Sequence, residues 1–202
     1  IVRSGRRRLA LVGIGGPVQP RLFRGPDALE LIDLATGEIV HRFRGGGDVS
    51  SRISRRPVAA APSADGERVF VLSEEGLARS FSVETGEEYG DLRWRLDDVA
   101  AREARDADEV KVAGLFPAVR AAAFAPNDEQ VALSSDRGVE IRDLEDGSLL
   151  VTLADRPASV VVFDANGERV ATGDASGTIH IYEAETGREL LPITAHDAPV
   201  HG

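Results

Sequence analysis

The sequence predicts an all-β protein in which one four-stranded antiparallel unit recurs along the chain. The first observation behind this prediction is a similarity between segments that returns about every 40 residues. The second is the alternation of apolar residues beside turn residues, which is typical of a strand–turn–strand hairpin. The third is a constant ten-residue interval between the two turn residues of each copy: Gly66 to Gly76, Asp128 to Gly138 and Gly167 to Gly177.

The strands of each copy follow one order, and we name them a to d. A short apolar strand a leads into the first turn, strands b and c flank the second turn, and strand d follows a closing Thr-Gly or Asp-Gly pair. Glycine suits these turns because it adopts positive φ without steric cost. The predicted strands cover residues 8–12, 28–34, 38–43, 58–61, 68–73, 77–83, 119–124, 130–134, 139–143, 149–153, 159–163, 169–172, 178–182 and 188–191.

Repeats of this kind are typical of β-propellers, whose blades are four-stranded antiparallel sheets. Propellers usually have four to eight blades, so about four blades form either a small closed ring or part of a larger propeller. We favour the larger ring, because residues 200–202 make a short closing strand and an open ring exposes edges. The expected single region, 1–202, divides into a partial blade over 1–44, blades over about 57–95, 115–154 and 157–194, and the start of a further blade over 196–202.

The clearest copy runs from Phe163-Asp164-Ala165-Asn166-Gly167 to Tyr182-Glu183-x-x-Thr186-Gly187 and is followed by His196. In this pattern the chain resembles the WD40-repeat family, which implies four-stranded blades. The Trp of that family's Trp-Asp pair is replaced in every copy, so apolar packing is expected in place of the family's hydrogen-bond network. The replacing residues are Ile32, Phe81, Arg142 and Tyr182.

The first half also resembles the YVTN-type propellers, through residues 29–40 and 65–71. Some relatives of that group are lactonases or cytochromes, so this resemblance leaves open an enzyme or a cofactor-bearing propeller. Both resemblances imply the same architecture, a β-propeller of four-stranded blades.

Charge, cysteine content and the length of the apolar runs exclude several classes of function. The 202 residues carry a net charge of −10, which argues against a nucleic-acid surface. The absence of Cys excludes disulfides and thiolate chemistry, and no apolar run is long enough to span a membrane.

Nearly all basic residues are Arg, which is typical of a GC-rich bacterial genome. We also expect a piece of a longer protein, because the chain has no Met and opens near a strand b. The compartment stays open, with the cytoplasm weakly favoured over a soluble domain of a membrane-associated protein.

Two connections between a strand d and the next strand a are unusually long, over residues 44–56 and 91–114. A propeller places both on one rim, where they would form a partner-binding face, and residues 97–105 would form a short helix. Trp and Arg are favoured at binding hot spots. The candidate partner-binding residues are therefore Arg52, Arg55, Arg93, Trp94 and Arg95. The alternative is that Trp94 packs under the insertion and the arginines are solvated.

No catalytic, cofactor-binding or metal-binding residue is predicted. Asp164-x-Asn166-x-Glu168 lacks most ligands of a calcium loop, and the four His do not have metal-ligand spacing. We therefore expect a non-catalytic interaction scaffold, part of a larger multidomain or multisubunit assembly. Its partner would be a protein or a neighbouring domain rather than nucleic acid or a small-molecule substrate. The alternative of a YVTN or quinoprotein-like enzyme requires convergent His, Asp or Glu at the central channel.

Overall fold

The structure, a computed structural model, describes residues 2–4, 7–14, 28–44, 57–96, 118–194 and 200. Within these ranges every element with defined bounds is a β-strand, which confirms the all-β prediction. The first eight strands are β1 (Val2–Ser4), β2 (Arg7–Ile14), β3 (Ala28–Asp33), β4 (Ile39–Arg44), β5 (Pro57–Pro62), β6 (Arg68–Ser73), β7 (Leu77–Ser82) and β8 (Glu88–Arg95). The other eight are β9 (Ala121–Phe124), β10 (Gln130–Ser135), β11 (Gly138–Asp143), β12 (Leu149–Ala154), β13 (Val160–Phe163), β14 (Arg169–Gly173), β15 (Thr178–Glu183) and β16 (Glu189–Thr194).

The strands form four antiparallel sheets of four strands each, numbered here in chain order as sheets 1 to 4. Each sheet is a meander in which consecutive strands pair, β1 to β4 in sheet 1 and so on to β13 to β16 in sheet 4. This is the blade architecture that the repeat predicts. In all four sheets strand d pairs with strand c with a register shift, as between Ile181 and Tyr182.

Two strands were missed from the sequence. The expectation that the chain opens without a strand a was wrong, because Val2–Ser4 pairs antiparallel with β2 as the outermost strand of sheet 1. Three residues are too few to show an alternating pattern. The expectation that residues 91–114 form one insertion was also wrong at its start, because Asp91–Arg95 belongs to β8. Gly90, at φ +75°, interrupts the apolar alternation there.

Several sequence predictions fall outside the described residues: the helix over 97–105, the remainder of both long connections and all of 196–202 except Val200. Of the described stretches between strands, most are the short turns that the Gly and Asp positions predict. Among the residues that the structure describes, no helix has the length and apolar character needed to span a membrane.

The core lies between the sheets rather than in one central mass. One apolar cluster joins sheets 1 and 2 around Leu31 and Val69, a second joins sheets 2 and 3 around Leu72 and Leu133, and a third joins sheets 3 and 4 around Val170. The apolar residues at matched positions of the copies predict ten core residues, and six of them are buried: Val69, Val71, Val131, Leu133, Val161 and Val170. The other four are only half-buried: Phe124, Phe163, Ile179 and Ile181.

Candidate functional site

Trp94, the central residue of the predicted partner face, lies in the core between sheets 2 and 3. Its side chain is 6% exposed, and its Nε1–H donates a hydrogen bond to the Leu144 carbonyl oxygen at 2.8 Å. The indole ring covers Gly147, where an added Cβ would come within 2.6 Å of the ring. A partner would therefore contact the surroundings of Trp94 unless it displaced the indole from this core.

Of the four candidate arginines, two lie on a strand that the structure describes and two lie outside the described residues. Arg95 is half-buried and pairs with Leu77 across β7 and β8, and the backbone of Arg93 pairs with Arg79. The two strand residues thus flank Trp94 on β8. Arg52 and Arg55 lie outside the described residues. The partner-binding role of all five residues stays a prediction.

A cleft of about 370 Å³ lies at the junction of sheets 2 and 3, close to Trp94. Its lining comes from turns and strand ends of both sheets, and the sequence analysis did not single it out. Sheet 2 contributes the turn after β5, the start of β6 and the middle of β8, and sheet 3 contributes the turns after β9 and β11. The lining residues are Ser63, Asp65, Arg68, Phe70, Asp91, Leu92, Asp128, Leu144 and Glu145.

The floor of the cleft is apolar. Phe70, Leu92 and Leu144 are buried members of the cluster that joins the two sheets. Phe70 also packs against Phe124 of sheet 3, with 5.7 Å between the ring centroids. Because these side chains are held by the core itself, the cleft has a preformed base on which an apolar group could pack.

The rim of the cleft is acidic. Four of the nine lining residues, Asp65, Asp91, Asp128 and Glu145, carry carboxylates, and Arg68 is the one basic residue among them. Arg68 forms a salt bridge with Asp91, and its guanidinium also lies 4.6 Å from the centre of the Tyr89 ring. One cation thus faces four carboxylates, so the lining keeps a net negative charge.

Hydrogen bonds keep two of these carboxyl groups ionised. The Ser63 hydroxyl and the Glu67 N–H donate to Asp65 and lower the pKa of its carboxyl group. Burial alone would raise the pKa of Asp91, but hydrogen bonds from Ser80, at 2.8 Å, and from Arg68 outweigh it and lower that pKa. Both groups are therefore negative at neutral pH.

Asp128 holds the two halves of the cleft together. Its Oδ2 atom accepts a hydrogen bond of 2.6 Å from the backbone N–H of Ala64 in the neighbouring sheet. The residue has φ of +61°, a conformation that Asp tolerates better than most side chains, and it occupies the tight turn between β9 and β10. The sequence analysis identified Asp128 as a turn residue; the contact with Ala64, 64 positions away, required the tertiary structure.

This arrangement favours binding of a group that combines positive charge with apolar surface. An Arg or Lys side chain could lay its methylene stem on the apolar floor and its charge against the acidic rim. No histidine is among the nine lining residues. Nor do any three His, Asp or Glu side chains gather in a metal-binding arrangement in the part of the chain that the structure describes.

No known protein-family model matches this sequence, and no curated protein is similar to it.

Proposed function

We propose that the protein is a non-catalytic interaction scaffold, a WD40-like propeller region that binds a basic segment of another protein in the cleft between sheets 2 and 3. The observation that carries this proposal is the combination of a buried apolar floor with an acidic rim in one preformed cleft. The net charge of −10 favours the same class of partner, because it attracts basic segments over a distance.

The partner is a protein segment rather than a small cation because the cleft is open and two-sided. An extended peptide could place an apolar side chain on Phe70 and Leu92 while a neighbouring Arg or Lys meets Asp128 or Glu145. The predicted residues Arg52, Arg55, Arg93 and Arg95 would form a second contact region for another part of such a partner, while Trp94 stays in the core between sheets 2 and 3. Membership of a larger assembly and a bacterial origin belong to the same proposal.

The experiment uses two fluorescent peptides, one that alternates Arg and Leu and one in which Glu replaces each Arg. Anisotropy should show binding of the basic peptide only, and the affinity should fall as salt is added. Glu145→Lys should weaken that binding by about tenfold, since it reverses one rim charge.

Glu185→Lys is the matched control, because Glu185 occupies the same turn position in sheet 4 and changes the net charge equally. Equal weakening by the two variants would show that the peptide responds to overall charge, and binding in the cleft would be wrong. Failure of the basic peptide to bind at all would likewise contradict the proposed function.

A further inference from the structure

Each strand d has an apolar residue at a β-bulge close to its start. The turn glycine, which lies in the turn between strands c and d, gives a common reference position in all four sheets. In sheets 1, 3 and 4 the third residue after it has no opposite residue on strand c, because the pairing register moves by one residue there. In sheet 2 this position lies within the register shift of β8. The four residues, which we call the bulge row, are Val40, Tyr89, Leu150 and Leu190.

Neighbouring sheets bring these positions side by side. At all three junctions, a side chain of strand d in one sheet covers the turn glycine of the next sheet. An added Cβ on that glycine would lie 2.6–2.7 Å from the covering side chain, so strand d and the next turn are closely fitted. The bulge row therefore continues from sheet to sheet along the edge that the strands d form. The three pairs are His41 on Gly86, Trp94 on Gly147 and Val151 on Gly187.

Most of the bulge row is exposed. The exposed fraction is 46% for Tyr89, 45% for Leu150 and 38% for Leu190, whereas Val40 is half-buried. Tyr89 and Leu150 belong to sheets 2 and 3, each of which has a sheet packed on both faces. Their exposure is thus a property of the strand edge and does not come from an uncovered sheet face. Because a bulge re-aims a side chain, one apolar residue at the same bulge in successive sheets differs from scattered surface residues.

The turns beside the bulge row are strongly acidic. Four stretches, 35–40, 84–89, 145–150 and 185–190, run from two residues before each turn glycine to three residues after it. They contain eight acidic residues and one basic residue, Arg188, which gives them a net charge of −7 out of the chain's −10. All eight acidic residues are exposed. The negative charge of the protein is therefore concentrated along the same edge as the apolar row.

We propose that the bulge row is a docking surface for a basic amphipathic helix of another protein. The helix lies across the strands d of sheets 2, 3 and 4, with its apolar stripe on Tyr89, Leu150 and Leu190. Lys and Arg residues on both sides of that stripe meet the acidic turns. The chain already holds a cation on this row, because the Arg68 guanidinium lies 4.6 Å from the centre of the Tyr89 ring.

The spacing of the row favours a helix over an extended segment. Packed sheets lie about 10 Å apart, and seven residues of an α-helix rise about 10.5 Å and return to nearly the same face. In an extended segment, the side chains on one face recur about every 7 Å. One stripe of a helix therefore reaches the row residues of successive sheets, whereas one face of an extended segment does not.

The charge of the turns disfavours other occupants. A second copy of this chain would bring the same acidic turns towards each other, and nucleic acid or an anionic membrane surface would be repelled in the same way. The docking surface shares only Glu145 with the lining of the cleft between sheets 2 and 3. It therefore does not depend on the proposed function of that cleft.

Fluorescence anisotropy with three peptides of about 21 residues tests the surface. The first peptide has Leu at every third or fourth position and Lys elsewhere, so its helix has one apolar stripe. The second has the same composition with Leu spread around the helix, and the third has Pro at two central positions, which breaks the helix. The first should bind, and the other two should bind about tenfold more weakly. Absence of binding by the first peptide, or equal binding by either of the others, would overturn the proposal.

Charged substitutions locate the binding site of the first peptide. Leu150→Lys and Leu190→Lys should each weaken binding by about tenfold, because each removes an apolar contact and adds a charge that repels the peptide. The double variant should weaken it by about 100-fold, since one helix contacts both sheets. Val162→Lys is the matched control: Val162 is also 45% exposed, but it lies on strand a, at the opposite edge of sheet 4. Equal weakening by Val162→Lys would overturn the location.

Conservative variants separate loss of the contact from loss of the fold. Leu150→Met and Leu190→Met should bind the first peptide like the wild type, and both Lys variants should keep the wild-type midpoint of chemical denaturation. Folded Lys variants that bind the peptide as tightly as the wild type would overturn the bulge row as its site. If Glu145→Lys alone then weakened binding, the peptide would occupy the cleft, so the two sites are distinguished.

Discussion

At the scale of single residues, each sheet places an ionisable side chain at one matched position, seven residues before the turn glycine. Each of these side chains has an oppositely charged or titratable partner within its own sheet. The four pairs are Glu30 with Arg42, Arg79 with Glu88, Glu140 with Arg142, and His180 with Glu189. Each sheet thus has a partnered ionisable side chain at this position, although the residue type and the sign of its charge differ between sheets.

The pair in sheet 3 is the most buried. Arg142 is 1% exposed, lies 2.9 Å from a Glu140 carboxylate oxygen, and donates a 2.9 Å hydrogen bond to the Gly147 carbonyl oxygen. Arg142 is one of the four residues that the sequence resemblance aligns with the Trp of the WD40 pattern. The ion pair thus occupies the place for which the sequence suggested apolar packing, whereas Phe81 and Tyr182 do bury aromatic rings at that position.

Glu140→Ala should lower the free energy of unfolding by about 3 kcal/mol, because it leaves the Arg142 charge buried without this carboxylate. Chemical denaturation of the two proteins measures the difference. Glu185→Ala, at an exposed turn position, should change it by less than about 0.5 kcal/mol. Equal stabilities of Glu140→Ala and the wild type would show that Arg142 finds full compensation elsewhere.

The carboxyl group of Asp174 makes the free energy of unfolding depend on pH in the acid range. Hydrogen bonds from Ser176, with smaller contributions from Thr178 and His180, lower the pKa of Asp174 from 3.8 to about 2, against the opposing effect of burial. The ionised Asp174 carboxylate therefore stabilises the folded protein fully above the unfolded pKa of 3.8, and this stabilisation is lost as the pH falls towards 2.

Asp174→Asn keeps an oxygen acceptor but removes the charge, so it should destabilise the protein by about 1 kcal/mol near neutral pH. Denaturation curves collected down the pH scale should show that this difference disappears near pH 2. Asp155→Asn, at a side chain that is 96% exposed, serves as the control. A difference that stayed constant with pH would contradict the role of the charge.

At the scale of elements, strand d decides how neighbouring sheets pack. β8 shows this best, because Leu92 and Trp94 point into the cluster shared with sheet 3. Every strand d has a register shift, but in β8 the partner changes from Arg93 at Arg79 to Glu88 at Phe81, a larger step than in the other three strands, and Gly90 lies within it. The covering residue is consequently a Trp eight positions after the turn glycine, rather than a residue four positions after it.

Trp94→Ala should lower the free energy of unfolding by about 3–5 kcal/mol, because the ring contacts are lost and a cavity remains. Gly147→Ala should cost about 1–3 kcal/mol, because its Cβ would clash with the indole and φ is +77°. In chemical denaturation the double variant should lose less free energy of unfolding than the two single variants lose together, because the added Cβ clashes only when the indole is present. Strict additivity would mean that the two residues do not contact each other in solution.

At the scale of the whole molecule, the apolar core of the described residues is divided over the three junctions between neighbouring sheets. No one cluster of these residues is shared by all four sheets, so each junction contributes its own part of the free energy of unfolding.

The sequence by itself determined the local structure of this protein. The strands and turns could be predicted closely because their signals lie within a few neighbouring positions: the apolar run of β10, the alternation along β11, the turn residues at ten-residue intervals and the closing Thr-Gly pairs. Strands β1 and β8 escaped because one is three residues long and the other is interrupted by Gly90.

Only the tertiary structure decided which faces are buried and where a cleft forms. For Trp94 the sequence left open a partner-binding face or packing inside the protein; the structure buries it, and it donates to a carbonyl 50 positions away. Ile179 and Ile181 looked like core residues, yet they lie on the face of sheet 4 that no described sheet covers. Burial and the acidic cleft depend on which sheets stand side by side, and contacts between residues distant in sequence leave no periodic signal in the chain.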